Sequence, residues 1–407
     1  MTAAPAIEPT LSLYQLLDPE VLANPYPLFR RLREEAPVHW DPYLHAWVIT
    51  RYDDVLTVLR EFSANRTPTP EQLEAIGLSR LKPLARMMVR QMLFLDPPDH
   101  SRVRHLAAEA FTPRRIEQLR QHIQAIADDL VDRFVTSGQT ELMADFAAPL
   151  PAIVTAEMLG LPASDWRQLR VWSSDFAEVL GNFQHNPDRA EQVLRSLDEM
   201  TAYFEAATER AERGDNLITW LLESEEQGDH LSPAEIVANL IITMVGGQET
   251  TTNLIGNGML TLLRHPEDMA RLRADSSLLP SAVEELLRFE PPSQHTARLA
   301  PRDTLLGGQL IRERQAVIVV MAAGNRDPER FPDPDRLDLA RPNNRHLSFG
   351  WAAHFCFGAP LARMEGQIAF ETLLRRLPDL RQESAPLVWR QNLGLRGLTE
   401  LRLRFGA

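Results

Sequence analysis

The chain contains a single cysteine, Cys356, and it stands in a loop with glycine on either side. A lone cysteine cannot form an internal disulfide, but its thiolate can make one strong bond to a soft metal. Gly350 and Gly358 allow tight turns, and a helix predicted from Ala359 onward would direct free N–H groups and its dipole at a sulfur anion. The loop therefore favours a thiolate metal ligand. The alternative is a buried apolar cysteine that serves only packing.

A second group of reactive side chains lies inside a long apolar helical pattern. Gly246-Gly247 follows an apolar run, and Gln248-Glu249-Thr250-Thr251-Thr252 comes directly after it. Two glycines cost a helix interior about 2 kcal/mol relative to alanine, and threonine hydroxyls can bond back to preceding carbonyls. We expect a local bulge or kink, with an acid and an alcohol beside a widened groove that brings protons to a buried reaction centre. The alternative is a glycine pair that permits close helix packing.

Several arginines and histidines have the donor chemistry that binds carboxylates. They are His100 and Arg104, one helical turn apart; Arg298, in an extended segment; and His346 and His354, near the cysteine. Glu285 and Arg288 lie three residues apart on another predicted helix, so they share a face. Each of these features alone is more often structural than functional.

The elements that must position these residues are mostly helices. Apolar residues recur at helical spacing over 27–35, 114–135, 164–180, 187–210, 232–263, 266–273 and 279–289. Strand-like runs are short: 38–40 with 46–50, 304–310 with 316–321, and 398–405. The sequence therefore predicts a mainly α protein with small peripheral β-sheets. We expect one domain over residues 1–407, with a short N-terminal extension to about residue 23.

The composition excludes several classes of protein. Acidic residues outnumber basic ones, 56 to 43, for a formal charge of −13, which argues against non-specific nucleic-acid binding. The longest apolar stretch, residues 236–247, is too short to cross a bilayer. With no secretion signal visible and no disulfide framework, we expect a cytoplasmic location. No His-Glu-x-x-His zinc motif, phosphate-binding loop or Gly-x-Ser-x-Gly motif occurs.

Taken together and in this order, the motifs resemble the cytochrome P-450 family of haem-thiolate monooxygenases, of the soluble bacterial kind, from about Asn24 to the C-terminus. The motifs are Phe349-x-x-x-x-His354-x-Cys356-x-Gly358, Gly246-Gly247-Gln248-Glu249-Thr250 and Glu285-x-x-Arg288. The resemblance implies the P-450 fold, with haem b between the long central helix and the cysteine loop.

The resemblance also implies a role for each matching residue. Cys356 is expected to bind the haem iron, and Glu249 and Thr250 to deliver protons to bound O2. The expected haem-binding residues are His100, Arg104, Arg298, His346, Phe349, His354 and Gly358. Glu285 and Arg288 match a buried structural pair, with Arg336 as its third member. The expected substrate pocket includes Val245, Gly246, Gln294, Thr296 and Leu395.

The implied activity is insertion of one oxygen atom from O2 into a small-to-medium, mostly apolar substrate, by hydroxylation or epoxidation. Electrons are expected from separate ferredoxin and ferredoxin reductase, or flavodoxin-type, donors, docked on a basic patch of Arg102, Arg114, Arg115 and Arg363. We expect a monomer that binds neither nucleic acid nor membranes. The alternative is a protein of a different functional class, a haem-binding sensor or accessory module without oxidase activity. Such a protein would have no need of Glu249 and Thr250.

Three positions depart from the family pattern. Ala352 stands where glycine is usual, and because its Cβ restricts the turn, we expect its dihedral angles to differ. Gly246 replaces the usual alanine, which leaves a gap above the haem; either substrate space or helix packing would explain it. Leu337 replaces the usual phenylalanine. None of the three removes a catalytic group.

Overall fold

A computed structural model describes residues 11–108, 111–181, 187–212, 214–223 and 231–406. Helices make up most of it. The α-helices are α1 (Pro19–Ala23), α2 (Tyr26–Glu35), α3 (Tyr52–Glu61), α4 (Pro70–Ala75), α5 (Lys82–Met88), α6 (Asp99–Ala108), α7 (Pro113–Gln118), α8 (Arg120–Asp132), α9 (Pro149–Leu159), α10 (Trp166–Gly181), α11 (Pro187–Glu209), α12 (Leu217–Glu223), α13 (Pro233–Arg264), α14 (Pro266–Ala274), α15 (Leu279–Phe289), α16 (Met321–Gly324) and α17 (Ala359–Arg376).

The predicted long helices are confirmed to within a few residues, with one exception. The pattern over residues 114–135 forms two helices, α7 and α8, because the helix breaks at Leu119. The mainly α prediction is therefore correct, and the sheets are small. The strands are β1 (Val38–Asp41), β2 (Ala46–Ile49), β3 (Gln139–Glu141), β4 (Thr296–Leu299), β5 (Thr304–Leu306), β6 (Gln309–Ile311), β7 (Ala316–Val319), β8 (Arg381–Gln382) and β9 (Arg402–Arg404).

The strand pairing corrects one prediction. Residues 304–310 do not pair with 316–321; instead β5 turns back on β6, as a two-stranded hairpin. Strand β7 joins a four-stranded sheet of order β1-β2-β7-β4, parallel to β2 and antiparallel to β4. Gly307 and Gly308 make the tight turn between β5 and β6, with φ of +55° and +80°, so the chain reverses before it reaches β7.

The central helix α13 organises the core. Ser232 caps it, with Glu235 completing a capping box, and a proline opens the first turn. From Ile236 to Leu262 all residues are buried except Gly246, Gly247 and Thr250. The helix packs on α9, α10, α11, α15 and α17. It is α-helical throughout, so the predicted bulge does not interrupt it, although Thr250 Oγ1 does donate to the Gly246 carbonyl at 3.0 Å.

The N-terminal segment belongs to the same core. Residues 1–10 of the predicted extension lie outside the described residues, but Leu13 and Leu16 are buried in the main apolar cluster. Ser12 Oγ donates to Asp41 at 2.8 Å, which fixes this segment to β1. Burial of each leucine contributes roughly 1.5–3 kcal/mol. Among the described residues, no helix is long and apolar enough to span a membrane.

Candidate functional site

The cysteine loop is a compact turn at the start of α17. The Cys356 N–H donates to the Phe349 carbonyl at 2.8 Å, and the Gly350 N–H to Leu347 at 2.8 Å. Gly350 has a φ of +68°, which favours glycine. The half-buried sulfur accepts hydrogen bonds from the N–H groups of Gly358 and Ala359. The first turn of α17 therefore directs its free donors at the sulfur, as the sequence predicted.

Burial and nearby positive charge act in opposite directions on the pKa of the Cys356 thiol. Burial raises its pKa, while the two N–H donors and the guanidinium groups of Arg104 and Arg363 oppose that rise. A buried sulfur with this donor set is suited to a metal that takes the thiolate directly, because metal coordination deprotonates the thiol.

Ala352 keeps a glycine-type turn. Its φ is +55°, in the left-handed region that glycine favours. The expectation that alanine would adopt different dihedral angles here is therefore wrong. The Phe355 N–H donates to the Ala352 carbonyl at 3.0 Å and closes the turn. An L-residue with a Cβ in this region carries about 1–2 kcal/mol of strain, which the rest of the loop sustains.

Four of the predicted haem-binding side chains meet beside this loop. The rings of His100, on α6, and His354 have centroids 4.1 Å apart. One turn along α6, Arg104 Nη2 donates to the Phe355 carbonyl at 2.5 Å. Arg298, on β4, is 4% exposed, and within the described residues it donates only to Thr296 and Ala297. We call His100, Arg104, Arg298 and His354 the cationic cluster.

Among the described residues, no carboxylate forms an ion pair with the cationic cluster, although the charge of Asp96 acts on Arg298 and His100. Burial lowers the pKa of Arg298 to about 10, and burial with the neighbouring cations lowers that of His354 to about 3. His100 Nδ1, Arg298 Nε and His354 Nε2 are buried and hydrogen-bond to nothing in the part of the chain described. Buried donors of this kind are costly unless a ligand satisfies them. A group that carries carboxylates fits these donors, as haem b does with its two propionates.

His346 has different neighbours from the four members of the cationic cluster. Its Nε2 lies 3.3 Å from Glu284 Oε2, and its Nδ1 accepts from the Ser348 N–H at 3.2 Å. Glu284 also receives two hydrogen bonds from Arg363, at 2.7 and 2.8 Å. Phe349 lies under the Arg363 guanidinium, 4.6 Å from its ring centroid. These contacts brace the cysteine loop from the side of α15.

Glu249 and Thr250 point to different neighbours. Thr250 is partly accessible, and its hydroxyl donates to the Gly246 carbonyl of the same helix. Glu249 is 5% exposed and forms a salt bridge with Arg390, which also donates to Ser174 at 2.9 Å. Successive residues of a helix diverge by about 100°, so the acid and the alcohol line two separate faces of α13. Sequence reasoning found both residues but not the partner Arg390.

The two glycines of α13 have different surroundings. A Cβ built on Gly246 meets no atom within 4 Å, whereas one on Gly247 would lie 2.7 Å from Thr155 Oγ1 of α9. The packing explanation therefore applies to Gly247 and not to Gly246. Gly246, Gly247 and Thr250 are the three accessible positions in the buried stretch of α13. They form a small notch, which we call the helix notch.

A buried carboxyl lies beside the same stretch of helix, and sequence reasoning missed it. Glu365, on α17, is 1% exposed and hydrogen-bonds to the Thr251 side chain. Burial raises its pKa to about 8, so it is neutral at pH 7. Its Oε1 has no hydrogen-bond partner within the described residues. An acid nine residues after the cysteine on the same helix was the available signal.

The predicted pocket residues divide into two groups. Val245 is buried, and Gln294 is 3% exposed with its amide donating to the Pro291 carbonyl at 2.6 Å. Thr296 Oγ1 accepts from Arg298 at 3.3 Å. Leu395 is only partly buried and forms an isolated antiparallel β-bridge with Ser293, from a distant part of the chain. Gln294 and Thr296 thus hold the backbone around Arg298, while Gly246 and Leu395 keep accessible surface.

The buried pair of Glu285 and Arg288 has a different third member from the one predicted. Both side chains are fully buried, with Arg288 Nη2 2.7 Å from Glu285 Oε1. Arg341 completes the set, its Nε 3.1 Å from each Glu285 oxygen. Arg336 instead leaves its side chain 68% exposed beside Asp338, and only its carbonyl accepts from the buried arginines. The sequence Pro334-Asp335-Arg336 alone was insufficient to distinguish Arg336 from Arg341 as the partner of Glu285.

Comparison with known proteins gives consistent matches over nearly the whole chain. The family model "Cytochrome P450" matches residues 154–384. Cytochrome P450 107B1 of Saccharopolyspora erythraea is 40% identical over 390 residues, covering 93% of this chain and 94% of that protein.

Two solved structures resemble the fold closely. P450BioI, in complex with an acyl carrier protein ligated to hexadec-9Z-enoic acid, has a TM-score of 0.90 at 34% identity, covering 95% of this chain and 99% of that one. The myxobacterial cytochrome P450 CYP267B1, in complex with myristic acid, has a TM-score of 0.88 at 39% identity, covering 97% and 99%.

Proposed function

Since this chain belongs to the cytochrome P450 family of haem b monooxygenases, we propose that it oxidises a mostly apolar, medium-sized molecule at the helix notch. The observation that carries the proposal is the joint placement of a thiol that accepts two backbone N–H bonds and a cationic cluster in which three buried nitrogens have no hydrogen-bond partner among the described residues. Together they match the iron and the propionates of one cofactor.

The residues proposed to hold haem b are Cys356 for the iron and His100, Arg104, Arg298 and His354 for the propionates. When bound, the cofactor supplies the redox chemistry that reduces O2 and transfers one of its oxygen atoms to the substrate. The N–H groups of Gly358 and Ala359 and the guanidinium groups of Arg104 and Arg363 hold negative charge at sulfur. Phe349, beneath the Arg363 guanidinium, shields the loop from water.

Proton delivery is proposed to use Thr250 at the helix notch. Its hydroxyl donates to the Gly246 carbonyl, while its oxygen lone pairs can accept from a water; when the hydroxyl turns away from that carbonyl, its proton is donated into the site instead. Glu249 does not face that side; its carboxylate is held by Arg390. We therefore propose that Glu249 takes part only after that salt bridge opens.

The substrate class is proposed from the accessible surface and from the two solved structures. Gly246 and Leu395 give the site apolar accessible surface. CYP267B1 is in complex with myristic acid, and P450BioI with a carrier protein that bears a sixteen-carbon acyl chain. We propose a linear aliphatic substrate of about that size, hydroxylated at carbon.

The electron donors are proposed to be separate proteins, but the expected basic patch is largely neutralised. Arg102 pairs with Glu235, and Arg363 with Glu284. Arg115 lies over the Trp220 ring at 4.0 Å, with Asp215 at 3.7 Å. Arg114 is exposed. Charge reversal at Arg102 or Arg363 would therefore break an internal ion pair as well as change the surface.

The test is NADPH-driven turnover with surrogate ferredoxin and reductase, using tetradecanoic acid first and then a compound library screened by haem spin-state shifts. Thr250→Ala should keep substrate binding yet divert most electrons to hydrogen peroxide, while Thr250→Ser retains coupling. Undiminished coupling in Thr250→Ala would remove Thr250 from the proposal. Ligand binding without any oxidised product from the wild type would favour the sensor instead.

A further inference from the structure

We propose that Arg66 is a carboxylate-binding residue of the haem site, a third guanidinium beside Arg104 and Arg298. No motif indicates it, since it lies in a turn between α3 and α4. The inference rests on the haem site proposed above, but its test does not depend on turnover.

The turn that carries Arg66 is fixed against the strand that carries Arg298. Ser63 and Leu299 exchange two backbone hydrogen bonds, each 2.9 Å long. Asp96 holds the same turn, since its carboxylate accepts from Ser63 Oγ at 2.5 Å and from the Ala64 N–H at 2.8 Å. Leu299 directly follows Arg298 in β4. The backbone turn from which the Arg66 side chain projects is therefore held beside the strand that carries Arg298.

The Arg66 guanidinium is placed as a ligand-binding group rather than as a surface charge. It lies 4.7 Å from the centroid of the Phe94 ring and donates only a long bond, 3.3 Å, to the Ala64 carbonyl. Burial and the Arg298 charge lower its pKa to about 9. No carboxylate pairs with it among the described residues. A guanidinium has five N–H donors, so most of its bonding capacity remains for a partner of opposite charge.

The charge balance supports the same conclusion. Arg66, Arg104 and Arg298 bring three positive charges to one edge of the site. Asp96 is the carboxylate whose charge acts on Arg298 and His100. The two propionates of haem b supply two more negative charges, so all three guanidiniums are needed for neutrality. With Arg104 and Arg298 alone, one buried negative charge would be left without a counter-ion.

A carboxylate at Arg66 has two sources, a haem propionate or an acidic substrate, and the experiment separates them. The first arm measures haem transfer from the holoenzyme to excess apomyoglobin, for Arg66→Gln, Arg66→Lys and the wild type. Arg60→Gln is the matched control, because Arg60 lies on α3 with its side chain 56% exposed beside Glu61. Each protein is loaded with haem b and, separately, with its dimethyl ester, which lacks the carboxylates.

If Arg66 binds a propionate, Arg66→Gln should lose haem b roughly tenfold faster than the wild type. Arg66→Lys should lie between them, and Arg60→Gln should match the wild type. With the dimethyl ester, Arg66→Gln and the wild type should lose haem at equal rates, because no carboxylate remains to be held. Faster loss of the ester as well would show a general loosening of the site and overturn the proposal.

The second arm compares tetradecanoic acid with tetradecanol, by titrating the haem spin state of the same variants. If Arg66→Gln loses affinity for the acid about tenfold, keeps affinity for the alcohol and retains haem b normally, the carboxylate comes from the substrate. Unchanged haem b loss together with unchanged affinity for both ligands would overturn the proposal, and would leave the monooxygenase assignment intact.

Discussion

The two glycines of α13 allow a direct test of how the helix notch is built. Gly247→Ala would place a methyl group 2.7 Å from Thr155 Oγ1 and 3.3 Å from its Cγ2, closer than such atoms pack. Overpacking of this kind costs about 1–3 kcal/mol, offset by up to about 1 kcal/mol of helix propensity. We therefore expect Gly247→Ala to lower the free energy of unfolding by about 0–2 kcal/mol.

Gly246→Ala is the matched variant, one residue away on the same helix. Its methyl group meets no protein atom within 4 Å, so the propensity gain of up to about 1 kcal/mol should stand alone. The two alanine variants should differ by about 1–3 kcal/mol in unfolding free energy, which is the overpacking cost. The added methyl group of Gly246→Ala should instead change function, because it occupies space in the helix notch. We expect weaker binding of the best ligand or a shifted site of oxidation.

A double-mutant cycle isolates the contact with Thr155. Thr155→Ala removes the two atoms that obstruct a methyl at residue 247, and the nearest remaining atom, Thr155 Cβ, is 3.6 Å away. The hydroxyl it removes is buried without a hydrogen-bond partner in the described chain, so its loss should cost little. Gly247→Ala with Thr155→Ala should therefore recover the overpacking cost, with a coupling energy of about 1–3 kcal/mol.

Urea unfolding of the holoenzyme, followed by far-ultraviolet circular dichroism and by the Soret band together, measures each corner of the cycle. Coincident transitions would justify two-state free energies. Equal stability of Gly246→Ala and Gly247→Ala, or additive effects in the cycle, would refute the assignment of Gly247 to packing. Unchanged affinity and product pattern in Gly246→Ala, with a lowered midpoint, would refute the assignment of Gly246 to the notch.

Three further predictions follow from the site. Cys356→Ala should lose the red-shifted Soret band that a thiolate haem shows when reduced under carbon monoxide; persistence of that band would exclude Cys356 as the ligand. Burial raises the pKa of Glu365 from 4.5 to about 8, so between those pH values the folded state holds a proton that the unfolded chain releases, and stability falls as pH rises, by up to about 1.4 kcal/mol per pH unit. Glu365→Gln should abolish that dependence, and parallel urea midpoints of both proteins from pH 5 to 8 would contradict it. Arg341→Ala should lower the free energy of unfolding by about 3–5 kcal/mol because it removes one partner of the buried Glu285 carboxylate. Arg336→Ala should change that free energy by no more than about 0.5 kcal/mol. Equal melting temperatures of the two variants would refute the assignment of Arg341 as the third member of the buried set.

The parts of the fold predictable from sequence were those set by neighbouring residues. The capped, apolar pattern of α13 and the thiol at the start of α17 are local features, and both appear where the sequence placed them. The pairing of β7 was missed because its partners, β2 and β4, are fixed by distant segments of the chain. The expected bulge does not interrupt α13, which is one continuous α-helix over Pro233–Arg264 and packs closely on α9 at Gly247.

The same distinction explains which site residues were missed. His100 and Arg104 are one turn apart, so their spacing shows a shared face. Arg66, Arg341 and Arg390 are single arginines in irregular segments, and each acquires its role only when the chain brings a distant carboxylate or cation to it. With 43 basic residues of which all but one are arginine, composition gives no means of choosing among them. What distinguishes these arginines in the structure is burial, partial at Arg66 and nearly complete at Arg298, without a carboxylate ion pair among the described residues, and burial against a single shared carboxylate, as at Arg341. Both are properties of the folded core, so the charge pattern of this site is decided by tertiary packing, while its thiol and its central helix are decided by local sequence.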